Sequence, residues 1–354
     1  MVRFAAKGVV RNGFAAMALG FAVWAAAQPA TVADVVALVK TGAARKQADG
    51  SLARALAKLE LADRLENRVV EELESLGAGP KTVQALINLR DRSARMPPPN
   101  PQPAFDSPPA PSAAAQREAV DLAARAAFQY LASLPDFICE EEVNRFEDWG
   151  NTGRWREKDL LEIKLTYFDR LENYHLFAVD RRPARVDLDA MGGAHSEGEF
   201  GSILTEIFRD GSHARFTWDH WTTLRKHPAH VFRYRVLREN SMYKITYGLS
   251  PRALDADSTT VGEHGNLYVD RDSGQILRVE QIADSIPEDF PVTGASTVLD
   301  YDFISVGGRQ FLLPLHAEVR LATRGVSIRN EVKFQGYRKF NGESSITFDT
   351  PGKL

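Results

Sequence analysis

From Pro135 onward the apolar residues of this chain stop recurring at helical spacing. They alternate, or form short runs closed by turn residues. Strand-like segments recur at 163–168, 174–179, 214–222, 231–237, 243–247, 267–269, 276–282, 298–305, 310–321 and 327–337. Hairpin signals stand between several of them: Asp270-Arg271-Asp272-Ser273-Gly274, Gly307-Gly308 and Thr323-Arg324-Gly325. Neighbouring strands joined by short turns make an antiparallel meander. A meander of about ten strands curls into a barrel or half-barrel instead of staying flat. No other feature restricts the fold as strongly.

A helix precedes the meander. Over 116–134, Val120, Ala123, Ala124, Ala127, Phe128 and Leu131 share one face, and Pro135 stops the run. That face must cover something apolar, and the curved sheet offers its concave side. Further upstream, residues 31–93 carry short amphipathic patterns that read as three or four helices. Thr31 and Asp34 form a capping-box signature, Asp49 or Ser51 is expected to cap the second helix, and Pro80 suits the first turn of the last one. Residues 96–115 (MPPPNPQPAFDSPPAPSAAA) favour an exposed, extended linker separating two parts.

The first residues are an address. Arg3, Lys7 and Arg11 precede the uncharged run 13–27, which ends in Ala25-Ala26-Ala27 and is short for a bilayer span. A secretory signal peptide cut after Ala27 is expected, with a retained anchor helix as the alternative. Gln28 and not a cysteine stands directly after Ala27, so lipid attachment there is not expected. The predicted organisation is a signal at 1–27, a helical module at 28–95, a linker at 96–115 and a β-domain at 116–350. The fold class is α+β: a small helical module, then a half-barrel-like antiparallel sheet with a covering helix.

Composition sets limits. The chain has 354 residues, 44% hydrophobic and 26% charged, with a formal net charge of −3. Loss of the leader would make it more acidic still, which argues against nucleic acid as a partner. The lone Cys139 lies in an apolar stretch and reads as a small core residue.

Local patterns that could carry chemistry are few. Gly192, Gly193, Ser196, Gly198, Glu199 and Gly201 read as a loop-to-helix junction, with Ser196 and Glu199 at capping-box spacing. Phe200, Ile203, Leu204, Ile207 and Phe208 then form an apolar helical face. Glu197 and Glu199 argue against a phosphate site at that helix start. His227-Pro228-Ala229-His230, near Asp219 and His220, could offer zinc ligands, but the proline and flanking Arg225 and Lys226 read as a hairpin turn. The acidic run Glu140-Glu141-Glu142 reads as a solvated strand edge, because neighbours on a strand point to opposite faces. Nucleophile-elbow, P-loop and dinucleotide signatures are missing. No metal and no cofactor is called for.

The segments Leu134-Pro135-Asp136-Phe137-Ile138-Cys139, Gly192-Gly193 with Ser196-x-Gly198-Glu199-Phe200-Gly201, Ile207-Phe208 and Phe311-Leu312-Leu313-Pro314 resemble a group of exported proteins of acidobacterial-type soil bacteria. The resemblance covers roughly 116–350 and brings no activity with it. In architecture alone, helix followed by meander is similar to the periplasmic carriers of lipoproteins and lipids, whose half-barrel is lined with apolar side chains. The reading is therefore an exported, non-enzymatic binding or carrier protein, periplasmic or secreted, with an apolar ligand or lipidated partner. The expected ligand wall is Phe216, Trp218 and Tyr234, with Phe200 and Ile207 from the short helix. An envelope scaffold without a cavity is the alternative. A hydrolase using His195, Ser196 and Glu199 is a third reading that no motif supports.

Overall fold

The computed structural model describes residues 29–100, 108–191, 200–247 and 257–340. The leader and the expectations placed on Gly192, Gly193, His195, Ser196, Gly198 and Glu199 lie outside these residues.

Four helices open the described chain: α1 (Val32–Ala44), α2 (Asp49–Ala57), α3 (Asn67–Ser75) and α4 (Pro80–Ser93). Thr31 caps α1 as expected, accepting from the Asp34 amide while the Asp34 carboxylate accepts from the Thr31 amide. Asp49 does something else. The N-cap of α2 is Ala48, and the Asp49 carboxylate instead accepts from the backbone amides of Lys81 and Thr82, both at 2.9 Å. It therefore caps α4 from another helix, because Pro80 begins α4 after Gly79, which has no side chain to do so. Val35, Leu56, Leu73 and Leu86 form the centre of the module's own core.

Next come α5 (Ala113–Ser133), β1 (Phe137–Trp149), β2 (Arg156–Phe168), β3 (Leu171–Val179), β4 (Arg182–Pro183), α6 (Ser202–Phe208), β5 (Arg215–Leu224) and β6 (His227–Val236). The chain continues through β7 (Lys244–Tyr247), β8 (Asp257–Thr260), β9 (Gly262–Asp270), β10 (Ile276–Asp284), β11 (Val292–Val306), β12 (Arg309–Thr323) and β13 (Val326–Lys339). Eleven strands form one open, curved antiparallel sheet in the order β4-β3-β2-β1-β13-β12-β11-β10-β9-β6-β5, and β7 and β8 pair separately. The α+β half-barrel with covering helices is thus observed. It departs from a plain meander in two places. β1 pairs with β13, and the β5–β6 hairpin is added outside β9.

The first departure corrects the reading of the acidic run. β1 lies between β2 and β13, in the interior of the sheet and not at an edge. Along it Phe137, Cys139, Glu141, Val143 and Arg145 are buried in alternation. Arg145 donates to both carboxylate oxygens of Asp159 on β2, at 2.5 Å each, which neutralises a charge that is 2% exposed. Cys139 is a buried free thiol, and burial pushes its pKa up.

The two faces of the sheet differ. The inner face holds the main core, roofed by Ala123, Ala127 and Tyr130 of α5 and by Ile203, Leu204 and Ile207 of α6. The outer face receives the helical module through polar contacts. Glu71 of α3 accepts from the Tyr268 hydroxyl at 2.7 Å and lies 2.9 Å from Nε2 of His220. Arg278 binds Asp300 and reaches Glu74 of α3 at 3.2 Å. Asp91 of α4 pairs with Arg320 at 2.5 Å, and Asn88 accepts from Arg329 at 2.8 Å. The module therefore does not stand apart from the sheet, as the proline-rich segment suggested. His220, Arg278, Arg320 and Arg329 on the sheet meet polar and acidic side chains of α3 and α4 there.

Candidate functional site

The expected wall residues sit on the inner face: Phe216 and Trp218 on β5, Tyr234 on β6, Ile207 on α6 and Phe200 just before it. In the β5–β6 register Phe216 lies opposite Tyr234, and Trp218 opposite Phe232. Strand parity puts all four on one side. Tyr234 is 2% exposed, while Phe216 and Trp218 are half-buried. Phe208, at the end of α6, stacks on Phe216 with ring centroids 5.4 Å apart.

At the other end of α6 lies Phe200. Its ring meets Phe137 at 5.1 Å, Phe334 at 5.9 Å and Tyr167 at 6.0 Å, so it belongs with β1, β2 and β13. Gly201 follows with φ 124°, a backbone state that a side chain would strain, and it turns the chain into α6. Ile207 is wholly buried beneath the helix. The five wall residues thus span the roofed face from end to end instead of forming one cluster. Phe200, Ile207 and Tyr234 contribute to a filled core, and Phe216 and Trp218 stand at its edge.

Beside that edge is an aromatic group. Trp218 meets Trp221 edge to face at 5.8 Å, and Trp221 lies 4.2 Å from the His230 ring. The Trp218 indole donates to Nδ1 of His230 at 3.3 Å. Nδ1 must then be unprotonated, which suits a histidine whose pKa burial lowers. The Trp221 indole donates to the Pro109 carbonyl at 3.0 Å, so the chain lies against the sheet at Pro109, just before α5. His220 and Asp219 do not join His230. A bulge between Trp218 and His220 turns His220 to the outer face, where Glu71 and Asp219 hold it. The potential zinc ligands therefore fall on opposite faces. Among the described residues no group of three or more His, Cys, Asp or Glu is arranged to hold a metal ion.

Sequence reasoning missed the polar groups within the inner face. Glu263 on β9 and Gln281 on β10 are buried, and so are Glu141 and Arg145 on β1. The signal was present. Glu263 shares strand parity with Leu267 and Val269, and Arg145 with Val143, so each is a charge at an apolar position.

No family model matches this chain, and no curated protein matches it. Several solved structures are similar to it. A LolA superfamily protein from Nitrosomonas europaea is 10% identical with a TM-score of 0.31, covering 66% of this chain and 97% of its own. A DUF1329 family protein from Desulfovibrio piger is 10% identical at 0.30, covering 64% and 94%. A domain from Vibrio parahaemolyticus, described as an outer membrane lipoprotein-sorting protein, is 15% identical at 0.33, covering 65% and 95%. Likenesses this distant carry no inference, and the fold class rests on the strand order and pairing of this chain. Among the described residues no helix is long and apolar enough to cross a membrane.

Proposed function

We propose that this chain is an exported, non-enzymatic carrier, periplasmic or secreted, that holds an apolar ligand or the acyl chain of a lipidated partner on the inner face of its sheet. The observation that carries the reading is how that face is covered. Among the described residues, a broad apolar surface of an open sheet is covered chiefly by α5 and the seven-residue α6, not by a second sheet. α6 enters through Gly201, α5 leaves through Pro135, and the aromatic edge at Phe216 and Trp218 is only half-buried. The leader at 1–27 and the exported-protein resemblance of 134–139 and 311–314 accord with this reading. The ligand wall is Phe216 and Trp218 at the mouth, with Phe200, Ile207 and Tyr234 beneath the roof. The dense packing of those last three favours a second reading, an envelope interaction module with a solid core.

Mass spectrometry of the protein purified from its exported form separates the two. A carrier brings a stoichiometric acyl lipid with it and binds a fluorescent fatty acid saturably. Phe216→Glu weakens that binding at least about tenfold by placing a charge at the mouth. An empty protein with no saturable binding sinks the carrier reading in favour of the scaffold.

A further inference from the structure

At one end of the inner face, where β9 begins, lies a carboxyl whose surroundings leave it half used. Glu263 is 1% exposed. Its Oε2 accepts from the Gln281 amide at 2.6 Å and from the Tyr234 hydroxyl at 3.2 Å. Its Oε1 is buried and has no hydrogen-bond partner among the described residues. The register explains the group: Gly265 lies opposite Tyr234 on one side and Gln281 on the other, so positions 263, 265, 234 and 281 share the inner face. Gly265 makes the close approach possible. A Cβ there would sit 1.8 Å from the Glu280 carbonyl oxygen and 3.2 Å from the Tyr234 ring.

Other polar groups face Glu263 from neighbouring elements. Glu206 and Arg209 come from α6 and its C-cap, and Tyr243 from the segment before β7. Arg209 donates through Nη2 to the Asn240 carbonyl, but its Nε is buried and has no hydrogen-bond partner among the described residues. One buried acceptor and one buried donor are therefore left unused in the same neighbourhood. Leaving such groups unsatisfied in the interior is costly, so a partner that meets both is favoured. Burial also pushes the Glu263 pKa up.

We propose that Glu263, Tyr234, Gln281 and Arg209 form a head-group site on the inner face for an amphiphile whose uncharged head carries both a donor and an acceptor. A hydroxyl or an amide on an apolar chain has that chemistry. Its O–H or N–H donates to Oε1 of Glu263, its oxygen accepts from Nε of Arg209, and its chain runs along the apolar face. An anionic head meets two carboxyls, Glu206 and Glu263. A cationic head offers nothing to the Arg209 donor. A bare hydrocarbon leaves both groups unsatisfied. The inference rests on the carrier reading and adds to it the class of ligand.

The test uses the full chain, stripped of lipid, with N-phenyl-1-naphthylamine as an uncharged apolar reporter. Monolauroylglycerol and dodecanamide, as hydroxyl and amide arms, compete with lauric acid, dodecylamine and dodecane. Either uncharged head displacing the reporter at least tenfold more tightly than the acid and the amine supports the site, and the tighter arm identifies the head. Glu263→Met brings the five competitors to within about twofold of one another while the reporter still binds. Should that variant not fold, Tyr234→Phe, which removes one hydroxyl, reduces the same preference. Reporter binding with equal displacement by all five chains overturns the head-group site and leaves the carrier intact. No reporter binding and no displacement overturns the carrier reading, and the site falls with it.

Discussion

Replacing Arg278 by methionine should be among the most damaging single changes on the outer face. The Arg278 side chain is 10% exposed. Its Nε and Nη2 donate to the two oxygens of Asp300 at 2.8 and 3.0 Å, and its Nη1 donates to Glu74 at 3.2 Å. Methionine fills similar volume but leaves two carboxylates, each about one-tenth exposed, without their main cation. Breaking a buried pair from one side costs about 3–5 kcal/mol. Arg225 still donates to Asp300 at 3.0 Å, which points to the lower end, near 3 kcal/mol. Arg278→Met/Asp300→Leu should recover only part of that loss, because the Asp300 charge has gone while Glu74 still lacks Arg278 and Arg225 loses Asp300. Urea unfolding measures both. Trp149, Trp155, Trp218 and Trp221 lie in or beside the sheet, so fluorescence follows the sheet and far-ultraviolet dichroism follows the helices. The two transitions should coincide in the parent and separate in Arg278→Met, as Glu74 no longer ties α3 to the sheet. A loss under about 1 kcal/mol, with transitions still coincident, would refute this account of the interface.

The same interface should respond to pH. Burial pulls His220 down, but bonding to Glu71 and Asp219 outweighs it and holds its pKa above the ordinary 6.5. Burial, then the charge of Glu71, pushes Glu280 above 4.5. Both folded values are raised, so both contributions are complete below the unfolded pKa and are lost as pH rises through the folded one. Asp300 has the opposite sign: burial raises it, Arg278 and Arg225 outweigh that, and its contribution is lost only as pH falls below 3.8. Stability should therefore decline as pH rises past 4.5, through Glu280, and decline further past 6.5, through His220. His220→Gln should flatten the second part of that decline, and an unchanged slope in that variant removes His220 from the explanation. Asp49→Ala should cost about 1–2 kcal/mol, the range of a lost N-cap, although Asp49 caps a helix other than its own. Amide exchange at Lys81 and Thr82 is the readout, and unchanged protection there would count against the cross-helix cap.

Much of the architecture was legible because local periodicity reports local structure. The alternation in 310–321 and 327–337 marked β12 and β13, the apolar stripe after Gly201 marked α6, and Pro80 marked the start of α4. The position of β1 was not legible. Its acids read as a solvated edge, yet β13 closes on it, a pairing between strands almost two hundred residues apart in the chain. Periodicity says that residues alternate and is silent about which strand lies alongside. The candidate site was legible only in part. Phe216 and Trp218 could be placed on one face from parity, whereas the convergence of Glu263, Tyr234 and Gln281 depends on the β6–β9–β10 register.

By itself, the sequence determined that this chain is helical before Pro135 and an antiparallel sheet after it, because those choices follow from spacing that each segment carries alone. Tertiary structure alone decided that the helical module lies against the outer face, and that a carboxyl at a core position of β9 keeps one oxygen without a partner. Both depend on which surfaces meet. Charges at alternate positions look the same in sequence whether water or an acidic helix lies across from them.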